Sequence, residues 1–531
     1  MPIYEIKEWG GGISPFADRG IRGAFKFGKN LSIRKTVDTL TCGQALTDEG
    51  LWGISHSSSP SLSPSASASP SASGSASQSP SGTPSQSNSP SESPSASASL
   101  SPSASQSPSS SESASPSPSE GLVNVFNDLI RFFVKATDGN TYGFGHTGYI
   151  YRRYSDGYWR NVYKDPDGQI KGAIEKPSDS GKTYLQWANG TKLKQKELPG
   201  ASDWSDVTTV AENLTDAPWH SMVQVGGANY ICNGSLLALS GYDDSWTNEA
   251  LDLIPGNIGK AILERNGRAV IGTHKPGFPN DGVNAMIDTE YPLSQIGNDG
   301  ELYFADFTNS MPVRRFPGGG RVNPGGVANE VDQVEIFDWE STSLSWVDKQ
   351  TMGNMSLWGV YNADSGYNGV YSFGRKNKDQ PFTLNLEYAL EVDEIGAVVT
   401  VEGVTLVSYR DGNDYGVKAV DSTTKATGEY ESLELRSPVK QAEQITLWSH
   451  VEIFMEALPT GCSIEFHYKK NHAPTWTQAR TVDGNLSYAH TNGKKATFRI
   501  GEEADVFEEK IVLNPAGNVS PVVLRSRLYF N

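Results

Sequence analysis

Helical periodicity is missing from this sequence: nowhere do apolar residues recur at three- and four-residue spacing over a stretch long enough for an amphipathic helix. That leaves strands and turns as the building material. No apolar run approaches the length of a membrane span, so no membrane insertion is expected. The start of the chain, Met1 to Trp9, has no basic segment followed by an apolar one, and a Sec-type signal is not expected there. Cysteine is scarce. Cys42, Cys232 and Cys462 are odd in number and far apart, which argues against a disulfide framework or a thiolate zinc site and leaves them as small buried apolar residues. Basic residues are outnumbered, 44 against 61 acidic ones, and the net charge of −17 disfavours gripping a phosphate backbone. No nucleic-acid partner is expected.

Signatures of catalysis are also wanting. There is no Gly-x-Ser-x-Gly elbow, and the eight histidines are scattered without a Glu-flanked pair at metal-binding spacing. The run from Lys176 to Thr183 ends as a phosphate loop does, in Gly181-Lys182-Thr183, but has Lys176 in place of the first glycine and leads into a strand. It is rejected on both grounds. Paired carboxylates on separate repeats would be invisible to spacing, so a glycan-degrading enzyme stays open as a third reading.

What is present falls into four parts. Residues 1–56 form an arm with short strand candidates, of which Thr39 to Leu46 alternates like a strand in a larger sheet. Residues 57–119 are almost purely Ser, Pro and Ala and cannot bury enough apolar surface to fold; at about 3 Å per residue this disordered tract would reach on the order of 200 Å. From 120 to 436 a turn glycine leading into an alternating run recurs at Gly139, Gly181, Gly227, Gly267 and Gly300, separated by 42, 46, 40 and 33 residues, with further copies at Gly369 and Gly403. That spacing is one of propeller blades, each a small sheet whose faces must be covered by its neighbours. Residues 437–531 lack the period and read as a separate sandwich. The fold class is therefore all-β, a six- or seven-bladed β-propeller followed by a jelly-roll-like β-sandwich; hairpins of another all-β fold are the alternative. Thr39 to Leu46 is expected either to close the last blade or to dock on a neighbouring subunit.

Candidate ligand sites are few. Asp165 and Asp167, and Asp411, Asn413 and Asp414, place oxygen ligands on short loops that would hold Ca²⁺ only if a shell of six to eight oxygens formed; otherwise they are ordinary turns and no cofactor is needed. Trp448 and Trp476 are the places to look for stacking against a sugar ring, with core packing as the competing explanation. Ser155 to Trp159 resembles an Asp box, a structural hairpin motif of sialidase-type propellers in which the tryptophan packs beneath the turn. Asp243 to Trp246 and Ser341 to Trp346 are looser echoes.

Three stretches, Ser14 to Gly28, Asp138 to Arg153 and Leu198 to Val207, resemble proteins of tailed bacteriophages and environmental viral genomes. The layout of arm, propeller and sandwich is similar to that of tail-nozzle and other tail-associated virion proteins. The resemblance implies a non-enzymatic virion component, assembled in the host cytoplasm and released by lysis. Its partners would be itself or other tail subunits in a symmetric assembly, with a host glycan as a further contact. A cell-surface carbohydrate-binding protein is the alternative.

Overall fold

Alternating apolar runs separated by glycine turns dictate hairpins, and the backbone at those turns is of the kind that glycine adopts cheaply. Gly139 lies at φ 84°, as do Gly181, Gly227 and Gly403 at 77°, 86° and 82°, in the left-handed region that penalises a Cβ. The computed structural model describes residues 3–9, 11–13, 24–33, 39–49, 126–265 except 156, 218 and 254, 268–274, 383–436 and 446–531. It also describes the strands and turns at 294–296, 302–305, 312–316, 329–333, 343–344, 351–352, 355–361 and 366–374. The Ser/Pro/Ala tract, Gly267, Gly300 and most of Ser341 to Trp346 lie outside these residues.

Seven antiparallel sheets follow one another: blade 1 (residues 130–164), blade 2 (170–211), blade 3 (222–252), blade 4 (258–274), blade 5 (294–333), blade 6 (343–389) and blade 7 (394–425). The first strand of each lies against that of the next from blade 1 to blade 5, and blade 7 packs between blade 6 and blade 1. This is a β-propeller, with seven blades among the described residues. Gly139, Gly181, Gly227 and Gly403 each sit between the first and second strands of a blade, and Gly369 opens the strand that follows Met355–Tyr361 in blade 6. The glycine therefore introduces the second strand, not the innermost one. Apolar clusters fill the seams between blades. Phe133 and Trp159 of blade 1 meet Val399 and Val417 of blade 7, and Phe144 and Tyr142 of blade 1 meet Trp187 and Trp204 of blade 2.

The N-terminal arm is threaded through the whole body. It supplies β1 (Ile3–Ile6), β2 (Gly12–Ile13), β3 (Ala24–Phe25), β4 (Phe27–Lys29), β5 (Leu40–Thr41) and β6 (Gln44–Asp48). Strand β6 pairs antiparallel with Asp414–Lys425 and is the outer strand of blade 7. Strand β4 runs parallel to Thr383–Ala389 of blade 6 on one side and antiparallel to Gly428–Glu431 on the other.

The sandwich has two sheets between which its long strands alternate along the chain. One contains β1, Val522–Phe530, Thr446–Met455, Lys495–Ala504 and Arg480–Thr481, with β5 at its side. The other contains Gly428–Glu431, Val506–Asn514 and Ser463–Lys470. Through β4 this second sheet is continuous with blade 6. A single core joins them: Trp9, Phe25 and Phe27 of the arm pack with Tyr371 and Leu386 of blade 6 and with Trp448, Phe466 and Phe507 of the sandwich. Two strands within the range read as propeller, Gly428–Glu431 and Leu435–Arg436, hydrogen bond to Val506–Asn514 of the sandwich.

Candidate binding face and the seams between blades

The seams account for two of the four acidic residues singled out from the sequence as ligands. Asp165 is fully buried at the start of blade 2, where one carboxylate oxygen accepts the Trp187 indole N–H at 2.7 Å and the other accepts Lys194 Nζ at 2.6 Å. Asp167 pairs with the same ammonium, and the Lys194 and Lys192 hydrogen bonds hold its carboxyl below the usual range. Lysine thus stands where a cation would sit, and the turn is an ion-paired clamp instead of a Ca²⁺ site. Asp411, Asn413 and Asp414 are exposed at a hairpin tip, where Gly412 N–H donates to Asp393 at 2.9 Å. Among the described residues no group of three or more His, Cys, Asp or Glu is placed to hold a metal.

The Asp-box-like hairpin does structural work of the same kind. Trp159 is buried below the turn and its indole N–H donates to Glu49, at the end of β6, at 2.7 Å. Asp244, in the echo on blade 3, accepts hydrogen bonds from Lys176 and Ser178 of blade 2. His220 is buried, with Nδ1 2.8 Å from the Cys232 carbonyl oxygen, and burial pushes its pKa down, so the ring is neutral.

Trp448 is not a surface platform. It is fully buried, stacked on Phe507 at 4.8 Å, with its indole N–H donating to the Ala504 carbonyl. The bulge at Trp448 and His450 keeps this large ring on the inner face. Trp448→Ala is therefore expected to cost about 3–5 kcal/mol of stability, as large-to-small core changes do, read as a lowered urea midpoint. Unchanged stability would contradict the packing. Trp476 is half-buried, and Lys469 Nζ lies 4.7 Å from its ring centroid with Lys510 Nζ at 5.8 Å.

The sandwich residues that do face outward were not singled out by their composition. They lie on the first sheet and form three rows across its strands. Ile3 lies opposite Tyr529, which neighbours His450, then Arg499, then Arg480. Glu5 lies opposite Arg527, which neighbours Glu452 and then Thr497. Phe454 is flanked by Arg525 and Lys495. His450 and Tyr529 stack at 4.3 Å, and the guanidinium carbons of Arg525 and Arg527 lie 4.4 and 5.1 Å from the Phe454 ring centroid.

Charge on this face is unevenly paired. Glu5 is shared by Arg527 at 2.7 Å and Arg525 at 3.8 Å, and the Arg527 hydrogen bond holds its carboxyl below the usual range. Glu452 accepts from Lys495 at 2.7 Å and from the Tyr529 hydroxyl at 2.9 Å. Partial burial pushes that carboxyl up, but these partners outweigh it and hold it low. Glu503 bounds the face opposite the exposed Leu447. Arg499 donates to the Val482 carbonyl and Arg480 to the Gly484 carbonyl, so both guanidiniums keep donors free for an anion. The signal for this face was the alternation Arg525, Arg527, Tyr529, which puts three functional side chains on one side of a strand.

No protein-family profile and no curated protein matches the chain. Among solved structures it is similar to a streptogramin B lyase, at 14% identity over 56% of this chain and 95% of that one, with a TM-score of 0.39. It is similar also to virginiamycin B lyase from Staphylococcus aureus, at 11% identity over 56% and 96% with a TM-score of 0.37. A third likeness is to an extracellular domain described as that of a hybrid two-component system from B. thetaiotaomicron, at 11% identity over 70% of this chain with a TM-score of 0.39. The chain spans 46% of the length of that domain. The propeller assignment rests on the sheets themselves.

Proposed function

We propose that this protein is a non-enzymatic structural and binding component of a virion, of the tail-associated kind that the three sequence stretches resemble, assembled in the host cytoplasm. The observation that carries the structural part is the single sheet and single core running from blade 6 through β4 into the sandwich. Such a join makes the two β bodies one rigid piece, which suits holding a surface in fixed orientation within an assembly. Buried charges support it further, because Glu49, Asp165 and Glu508 are each committed to a cation of another element.

In this reading the propeller is the rigid body and the outward sandwich sheet is the contact surface. The test is size-exclusion chromatography with light scattering on the purified full chain. A closed oligomer of defined order is the expected result. A strict monomer at all concentrations would overturn the assembly role.

A further inference from the structure

We propose that the outward sheet of the sandwich binds a carboxylated polysaccharide, with Arg480 and Arg499 holding the carboxylates and the Phe454 and Tyr529 rows shaping the bed. This deepens the preceding reading, since it rests on that sheet being the contact surface. Five basic side chains, Arg480, Lys495, Arg499, Arg525 and Arg527, share the face with Glu5, Glu452 and Glu503. On a chain of net charge −17, a surface with an excess of cations selects an anionic partner.

The identity of that partner follows from the mixture of groups. Guanidiniums match carboxylates in a planar, two-point geometry. Phe454 holds Arg525 and Arg527 against its ring, so they are ordered before a ligand arrives. The three carboxylates also present acceptor oxygens, for which a partner that offers charge alone has no donor. A saccharide, however, carries hydroxyls that donate to them. Ile3, Leu447 and Leu524 are 47%, 37% and 40% exposed and offer apolar contact to the C–H faces of sugar rings. An acidic polysaccharide brings all three: carboxylates, hydroxyls and C–H faces.

The experiment is affinity electrophoresis of the full chain through gels containing polygalacturonate, its methyl ester, or poly-glutamate. Retardation by polygalacturonate, weakened by salt and at least tenfold weaker in Arg480→Glu/Arg499→Glu, is expected; Phe454→Ala should weaken it severalfold. Equal retardation by the methyl ester would show that charge is not read, and equal retardation by poly-glutamate would point to an acidic protein instead. Either result, or retardation unchanged in the double variant, overturns the proposal. Arg480→Gln/Arg499→Gln, which only removes charge, serves if the glutamate pair melts early. A chain that forms a closed oligomer yet ignores polygalacturonate defeats this inference alone, whereas a monomer that binds it defeats the assembly role and leaves this site standing.

Discussion

Glu49→Ala is expected to lower the unfolding free energy by about 3 kcal/mol, the scale of breaking a buried ion pair at one end. Glu49 follows directly on β6 at the point where blade 7 meets blade 1. Its carboxylate takes Arg153 Nε at 2.9 Å and Arg153 NH2 on its other oxygen, in the two-point geometry that makes such pairs strong. It also accepts the Trp159 indole N–H at 2.7 Å. With its side chain 9% exposed, little water is available to replace either partner. Removing it strands a guanidinium and an indole N–H in the seam that closes the ring.

The neighbouring pair supplies the contrast. Asp48 joins Lys418 at 2.8 Å but is 54% exposed, so Asp48→Asn is worth at most about 1 kcal/mol. Urea unfolding of both variants separates the two cases. A double-mutant cycle with Arg153→Ala should return a coupling of about 2 kcal/mol; a coupling near zero would mean that the seam is held by the Phe133 and Trp159 packing alone.

The ring was legible because its punctuation is local. Gly139, Gly181, Gly227 and Gly403 each fall between the first and second strands of a blade, since a tight turn constrains the residues inside it whatever lies around it. Thr39 to Leu46 was legible in part: Gln44–Asp48 does close blade 7, but Leu40–Thr41 pairs with the sandwich, a split that alternation alone does not reveal. The clamps were not. Glu49 and Arg153 are 104 residues apart, and Lys176 and Asp244 are 68 apart, so nothing in the spacing pairs them. β4 was obscure because three residues carry too little alternation to reveal that both edges are used. Trp448 misled because ring content says nothing about the inner or outer face, and a bulge set that face. The outward Arg525, Arg527 and Tyr529 alternate in the sequence, but an ion-paired surface and an anion-binding one share that pattern until the acids opposite are known.

The pH dependence of stability turns on Glu509. This residue of Val506–Asn514 points between the two sandwich sheets and is fully buried. One carboxylate oxygen accepts the Ser526 hydroxyl at 3.1 Å, and the other has no hydrogen-bond donor among the described residues. Tyr430 from the adjoining strand and Tyr4 from β1 are the titratable groups that face it, and no cation approaches among the groups that shift it. Burial therefore pushes its carboxyl up from 4.5 to about 7. The folded state holds this proton more tightly than the unfolded chain does. Stability from this group is thus full below about pH 4.5 and is lost progressively as pH rises to about 7, with no further change above. The loss is on the order of 3 kcal/mol by pH 8, following from 1.36 kcal/mol per unit. Glu509→Gln keeps the shape and removes the titration. The variant should match the parent near pH 4.5 and exceed it by an amount of that order at pH 8, in urea midpoints taken across the range. Parallel curves for the two proteins would mean that water reaches the carboxylate and that the sandwich interior is wetter than its packing implies. Loss of that proton bears on β1, because the Glu509 charge acts on Tyr4 while Glu5 next to it anchors Arg525 and Arg527. Ionising the interior carboxyl thus acts on the side of the sheet opposite the cations that the proposed ligand would meet.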